Sequence, residues 1–228
     1  MSKKPRPLVA GNWKMNGLGK SRTEVKKLLT KMSKKRPACD LLLCPPATLL
    51  PEFRMLAKGS RLQFGGQNCH AAPSGAHTGD ISAQMLADAG AKFVIVGHSE
   101  RRADHGESNT DVQSKAIAAK VADLSAIICV GETATERRQK KTLRVIGQQL
   151  TKSIPIKCDP TDIVIAYEPV WAIGSGMTPT VDQVAEVHTF IRSKLVKRFG
   201  PKGQGVRILY GGSVNPGNAA ELMAVDNV

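Results

Sequence analysis

Three features of this 228-residue sequence predict a parallel α/β protein whose strands close into a (β/α)8 barrel. Short apolar runs alternate with longer amphipathic stretches along the chain, no Pro-, Gly- or Ser-rich linker interrupts the series, and unusual polar residues follow nearly every apolar run. Repeated β-then-α without a change of class is the pattern of a parallel sheet. An open sheet concentrates its chemistry at one crevice, whereas polar residues at many strand ends favour a closed barrel. A single domain spanning 1–228 is expected.

The apolar runs begin near Leu8, Leu41, Gln63, Phe93, Ala126, Ile163 and Val206. Ile163-Val164-Ile165-Ala166 illustrates them: four apolar residues without polar alternation suit a strand covered on both faces. Between the runs, helices are predicted over Ser21 to Met32, Ile81 to Ala89, Asn109 to Ala122, Glu136 to Leu150, Val181 to Phe199 and Asn218 to Met223. The excursion 67–80, rich in small and polar residues, is longer than an ordinary βα connection. Adding even the shortest spacing between runs, Leu41 to Gln63, to the last start at Val206 reaches Val228. Only seven strands are therefore covered, and the eighth βα unit is expected to be missing at the C-terminus, so that the molecule made would exceed the chain given. A barrel lacking that unit would leave its first and seventh strands with unpaired edges.

Composition narrows the class of protein. With 41% hydrophobic and 23% charged residues, the chain resembles an ordinary globular domain. The formal charge of +14 and pI near 9.8 favour anionic partners, including phosphorylated small molecules and nucleic acids. However, the basic residues fall on predicted helices, as in Lys26-Lys27, Lys34-Lys35-Arg36, Arg137-Arg138 and Lys197-Arg198. Aromatics are only 4% and do not alternate with these clusters, so solvated helix faces are expected rather than a nucleic-acid platform. Five cysteines show neither a C-x-x-C pair nor metal-ligand spacing with the histidines, and their odd number disfavours a disulfide framework. A reducing cytoplasm is the expected setting. The basic start lacks the apolar core of a signal peptide, and no run approaches the ~20 apolar residues of a membrane span.

The most informative segment is Ala166-Tyr167-Glu168-Pro169-Val170-Trp171-Ala172-Ile173-Gly174-Ser175-Gly176. It places a carboxylate at the mouth of an apolar strand and a glycine-punctuated flap directly after it. Ligands bind at that end of parallel strands, so Glu168 is a base candidate beside a lid. Asn12 and Lys14 follow the first strand, His98 the fourth, and Gly211-Gly212-Ser213 the seventh.

Four segments in this order, Gly11-Asn12-Trp13-Lys14-Met15-Asn16-Gly17, Val96-Gly97-His98-Ser99-Glu100-Arg101-Arg102, Tyr167 to Gly176 and Tyr210-Gly211-Gly212-Ser213-Val214, closely resemble the triosephosphate isomerase family. Gln67-Asn68, Gly75-Ala76-His77-Thr78-Gly79 and Cys129-Val130-Gly131-Glu132 fit the same family, and the match runs from about Leu8 to the end. The resemblance implies a TIM barrel that interconverts dihydroxyacetone phosphate and D-glyceraldehyde 3-phosphate, in glycolysis and gluconeogenesis and linked to the pentose shunt, without metal or organic cofactor. Moving a carbonyl between adjacent carbons needs a base for the carbon-bound proton and a stabiliser for the enediolate. Glu168 is the base that the resemblance implies, and His98 the electrophile, a neutral imidazole beside a helical turn over Ser99-Glu100-Arg101-Arg102. Lys14 supplies positive charge and Asn12 a donor. Glu100 belongs to the family motif as a partner of Lys14 or of Ser99, and Arg101 with Glu107 reads as a structural ion pair. Gly174, Gly211, Gly212 and Ser213 are the phosphate-binding candidates, since glycines let backbone amides approach closely. A further Gly-Gly pair that completes this cradle in the family is absent here.

Pro169-Val170-Trp171 and Met177-Thr178-Pro179 bracket the flap as hinges; many members of the family carry Lys at the position of Met177. His70, His77, His105 and His188 are expected to be structural. In the family the 67–80 excursion projects into a neighbouring subunit, with the Thr78 region near that neighbour's Lys14 and His98 positions, so a homodimer is expected, with no nucleic-acid or membrane partner. Two other classes stay open on the sequence: an inactive phosphate-binding or scaffold protein on the same barrel, and a basic nucleic-acid binder.

Overall fold

The computed structural model describes residues 5–228. In chain order its elements are β1 (Leu8–Asn12), α1 (Arg22–Lys34), β2 (Asp40–Cys44), α2 (Leu50–Leu56), β3 (Gln63–Gly66), α3 (Ala83–Asp88), β4 (Phe93–Val96), α4 (Ser99–Asp104), α5 (Asn109–Val121), β5 (Ser125–Val130), α6 (Ala134–Arg138), α7 (Thr142–Ser153), β6 (Ile163–Tyr167), α8 (Val181–Phe199), β7 (Ile208–Tyr210) and α9 (Ala219–Met223). Backbone proximity gathers them into two compact units: Arg6–Val96 with Ile117–Ala126, and Gly97–Ala116 with Ile127–Val228 and Pro5. The seven strands found among the described residues coincide with the seven apolar runs.

In the first unit β1 to β4 pair in chain order, all parallel, with Asn12 opposite Cys44, Leu43 opposite Phe64 and Gly66 opposite Val94. All four residues of β4 are buried, as expected for a strand covered on both faces. Leu42, Leu50, Phe53, Phe64, Leu86 and Val94 form the core here, and Trp13 meets Phe53 edge-on at 5.3 Å between ring centroids. Helix α1 buries only Val25, while Lys26, Lys27, Lys31, Lys34, Lys35 and Arg36 are all exposed. The basic residues of this helix thus form a solvated face. Helix α2, seven residues opening with a proline in its first turn, was too short to announce itself by periodicity.

In the second unit β6 pairs parallel with β7 from Ile165 opposite Ile208 to Tyr167 opposite Tyr210. The single helix expected over Glu136 to Leu150 is two. A capping box between Thr133 and Glu136 starts α6, and Lys140, with φ +56°, breaks the run before α7 begins. Gln139-Lys140-Lys141 offers no apolar side chain to bury, so nothing offsets an interruption there. Helix α8 starts on a second capping box, Thr180 with Gln183, and buries Val184, Val187, His188, Ile191 and Leu195 at helical spacing. Among the described residues no helix is long and apolar enough to cross a membrane.

His188 is fully buried, with Nδ1 3.0 Å from the Asn227 carbonyl and its ring edge-on to Tyr167. Burial, helped by the nearby Arg192 charge, pushes its pKa from 6.5 down to about 4 against the opposing Asn227 hydrogen bond. The unfolded chain therefore binds this proton first as acid is added. The contribution of His188 to stability is constant above about pH 6.5 and turns unfavourable between there and pH 4, by about 3 kcal/mol in all. Urea unfolding at pH 7 and at pH 4.5 should show this slope in the wild type and a shallower one in His188→Gln; equal slopes would exclude the assignment.

Candidate active site

The second unit carries a buried carboxylate–imidazole pair. Glu168 lies immediately after β6 and is only 3% exposed; His98 lies after β4 and is 8% exposed. His98 Nε2 is 2.8 Å from Glu168 Oε1, and the Ser99 backbone N–H donates to Glu168 Oε2 at 2.8 Å. His98 also caps α4, its Nδ1 accepting the Glu100 N–H at 3.3 Å. A ring nitrogen that accepts carries no proton, so the geometry assigns a neutral imidazole with its proton on Nε2, directed at Glu168. Glu100 Oε2 stands 3.5 Å from the same Nδ1. Behind α4, Arg102 donates to the Gly97 carbonyl at 2.8 Å and to the Cys129 carbonyl at 3.1 Å, tying the His98 turn to β5. The expected Arg101–Glu107 ion pair is present, and Lys115 joins it.

Two glycines flank Glu168, and a side chain at either would crowd it. A Cβ on Gly131 would lie 1.9 Å from the Glu168 carbonyl oxygen, and one on Gly211 would lie 3.0 Å from Glu168 Cγ. The backbone adds its own ties, Glu168 N–H to Val130 O at 2.8 Å and Gly211 N–H to Tyr167 O at 2.7 Å. Gly211 thus gives its amide to the sheet and leaves room for the Glu168 side chain. The neighbouring Ser213 is exposed, and its carbonyl accepts from Asn218 Nδ2 at 3.0 Å.

The flap that follows has buried ends and an exposed tip: Ala172 and Pro179 are covered, whereas 174–178 are open, with Gly174 and Gly176 at φ +71° and +77°. Its first hinge is anchored at Glu132, a fully buried carboxylate whose Oε1 accepts from Trp171 Nε1 at 3.0 Å, Tyr167 Oη at 3.2 Å and Arg137 Nη1 at 3.0 Å. Burial and the Glu132 charge push the Tyr167 phenol pKa upward, which keeps it a donor. Met177 is half-exposed at the tip, its N–H donating to Ser175 Oγ at 3.2 Å.

In the first unit, Asn12 closes β1 and its Oδ1 accepts the Lys14 N–H at 3.0 Å. Lys14 sits at φ +52°, left-handed backbone that a lysine adopts only under constraint. The constraint is Gln67, whose Nε2 donates to the Lys14 carbonyl and to the Cys44 carbonyl, each at 2.9 Å. In the sequence Gln67 is legible only as part of a motif, because its partners lie on two other strand ends. The excursion 67–80 is stapled at its base by a bridge between His70 and Ser82, while residues 73–80 are exposed. Within it His70, His77 and Asp80 have ligand-type atoms within 4.8 Å of one another. Their arrangement is accounted for by packing: the two rings stack at 3.9 Å, and His70 Nδ1 accepts the Ala72 N–H at 3.0 Å.

Parallel βα units presenting a carboxylate paired with a neutral imidazole at their strand ends define an acid–base enzyme of the barrel-type α/β class. Comparison with known proteins gives the family. The triosephosphate isomerase model matches residues 7–228. A triosephosphate isomerase of Ruegeria pomeroyi is 56% identical over 224 residues, covering 98% of this chain and 88% of its own. One from a Bradyrhizobium strain is 56% identical over 229 residues, covering 100% of this chain and 91% of its own. The crystal structure of the Bartonella henselae triosephosphate isomerase superposes with a TM-score of 0.91 at 48% identity, over 98% of this chain and 90% of that one. The chain belongs to the triosephosphate isomerase family and has its (β/α)8 barrel fold.

Proposed function

We propose that Glu168 and His98 are the base and the electrophile of this isomerase, which interconverts dihydroxyacetone phosphate and D-glyceraldehyde 3-phosphate through an enediolate. The observation that carries the assignment is the Glu168 carboxylate held at 2.8 Å by His98 Nε2 and at 2.8 Å by the Ser99 amide. At that separation no substrate atom fits between carboxylate and imidazole. Substrate entry therefore releases Glu168 from His98 and gives the Nε2–H a new acceptor, the carbonyl oxygen. Glu168 takes the proton from the adjacent carbon, His98 gives its Nε2–H to the carbonyl oxygen as charge develops there and takes the proton of the neighbouring hydroxyl in return, and Glu168 delivers the carbon proton to the neighbouring carbon.

Lys14, its backbone held left-handed, contributes positive charge for the substrate's anionic end and the developing oxyanion. Asn12, its Oδ1 committed to the Lys14 amide, is left with Nδ2 as donor. The amides of Gly174, Gly212 and Ser213 are the donors proposed for the phosphate, with Gly211 making room beside Glu168. Glu100 acts from beside His98. Closure of the flap sheds water and protects the enediolate from losing phosphate. The net charge of +14 favours encounters with an anionic substrate. A coupled isomerase assay on the wild type and Glu168→Gln tests the reading, and an inert wild type would end it.

We further propose a homodimer formed through the 67–80 excursion. An exposed segment whose base is pinned by its own hydrogen bonds, His70 N–H to Ile81 O at 2.8 Å and Asp80 N–H to His77 O at 3.0 Å, is suited to insertion into a second copy. Light scattering should give twice the chain mass, reduced to one chain by Thr78→Arg; a monomeric wild type would refute it. Five cysteines, an odd number without C-x-x-C spacing, suit a reducing compartment, and on that ground we propose a cytoplasmic enzyme.

A further inference from the structure

The catalytic base of this site has a backbone floor, and one side chain outside the strand ends holds that floor in place. Where β5 stops at Val130, the regular ladder ends, yet the next residue has to support Glu168. Gly131 does so by direct contact: its Cα is close enough to the Glu168 carbonyl that an added Cβ would overlap it, and the same Cβ would meet Val170 Cγ2 at 3.1 Å. The base and the first hinge residue of the flap therefore rest on one glycine. Its neighbours bind the same two elements, Val130 O to Glu168 N–H and Glu132 Oε1 to Trp171 Nε1.

Gly131 is gripped from behind by Gln149 on α7. Gln149 Oε1 accepts the Gly131 N–H at 2.7 Å, and Gln149 Nε2 donates to the Gly131 carbonyl at 2.9 Å. The side-chain amide replaces the missing strand neighbour and satisfies both polar groups of one peptide position, so a residue with a single hydrogen-bonding function cannot substitute for it. Helix α7 fixes the grip in turn, since Ile146 and Leu150 on either side of Gln149 are buried.

We propose that Gln149 is a positioning residue of the reaction: by holding Gly131 it sets where the Glu168 carboxylate and the Trp171 hinge stand. It touches neither substrate nor reacting atoms. The inference rests on Glu168 being the base. Displacement of a reacting group by about 1 Å costs roughly a hundredfold in rate, and loss of the grip frees Gly131 for part of such a shift.

The test is steady-state isomerase kinetics on folded, wild-type-like samples of Gln149→Met and Gln149→Glu, with wild type and Glu168→Gln alongside. Gln149→Met should lower kcat by roughly 10-fold to 100-fold while KM changes by less than about twofold, evenly across pH. Gln149→Glu can accept from the Gly131 N–H at any pH but can donate to the Gly131 carbonyl only when protonated. Its kcat relative to wild type should recover as pH falls through the carboxyl's titration, which a merely structural lesion would not reproduce. Wild-type kcat in folded Gln149→Met, a change confined to KM, or a flat pH ratio for Gln149→Glu if the Met variant does not fold, would overturn the inference while the isomerase reading stands. An inert wild type would remove both.

Discussion

Glu168→Gln should lower kcat by roughly a thousandfold or more with little change in KM or in the folded state. The substitution keeps an acceptor for the Ser99 amide, which now holds Glu168 Oε2 at 2.8 Å, but removes the carboxylate proposed to accept a proton from carbon beside the His98 Nε2–H. A thousandfold corresponds to about 4 kcal/mol of transition-state stabilisation, which is within reach of one well-placed general base. Glu168→Asp keeps the chemistry and shortens the reach, so it should fall between wild type and the Gln variant. Turnover by coupled assay and circular dichroism on the same samples decide the matter. A Gln variant with near-wild-type turnover would move the base elsewhere.

Gly131→Ala should damage stability and activity together. Its Cβ would stand 1.9 Å from the Glu168 carbonyl oxygen and 2.9 Å from the carbonyl carbon, atoms of backbone that cannot rotate aside. The strand end bearing the base must then move by about 1 Å to restore contact distance, at about 3 kcal/mol for overpacking. For a chain of this size that is a fall of about 6–12 °C in Tm. The same shift carries the carboxylate and the Val170 hinge with it, so kcat should fall by roughly a hundredfold. Gly211→Ala, whose Cβ would meet the more mobile Glu168 Cγ at 3.0 Å, should be the milder of the two. A thermal melt and kcat comparable to wild type for Gly131→Ala would refute the account of how the base is seated.

The strands and the polar residues that end them could be read along the chain because both are written locally. Apolar runs such as Ile163 to Ala166 need no partner to be recognised, since burial on both faces excludes polar alternation. Glu168 and His98 stood out as polar residues that end such runs, and the helical turn after His98 was expected from Ser99-Glu100-Arg101-Arg102; that His98 caps it came from the structure. Arg101 and Glu107, six residues apart, could be paired for the same reason.

What could not be read were the contacts between segments distant in sequence. Gln149 is one more polar residue on an amphipathic helix until α7 lays it against Gly131, eighteen residues earlier. Glu132 looked like the tail of a strand motif, yet Tyr167 and Trp171, more than thirty residues away, make it the anchor of the flap. Gln67 braces the left-handed Lys14 from fifty-three residues away. Hydropathy and spacing determined by themselves where strands begin and which residues end them, because these depend on the nearest few neighbours, whereas the reaction was implied by the resemblance of whole motifs to a family. The tertiary structure alone decided how the base is seated and held, because a hydrogen bond or a steric limit exists only once packing has brought its two partners to within about 3 Å.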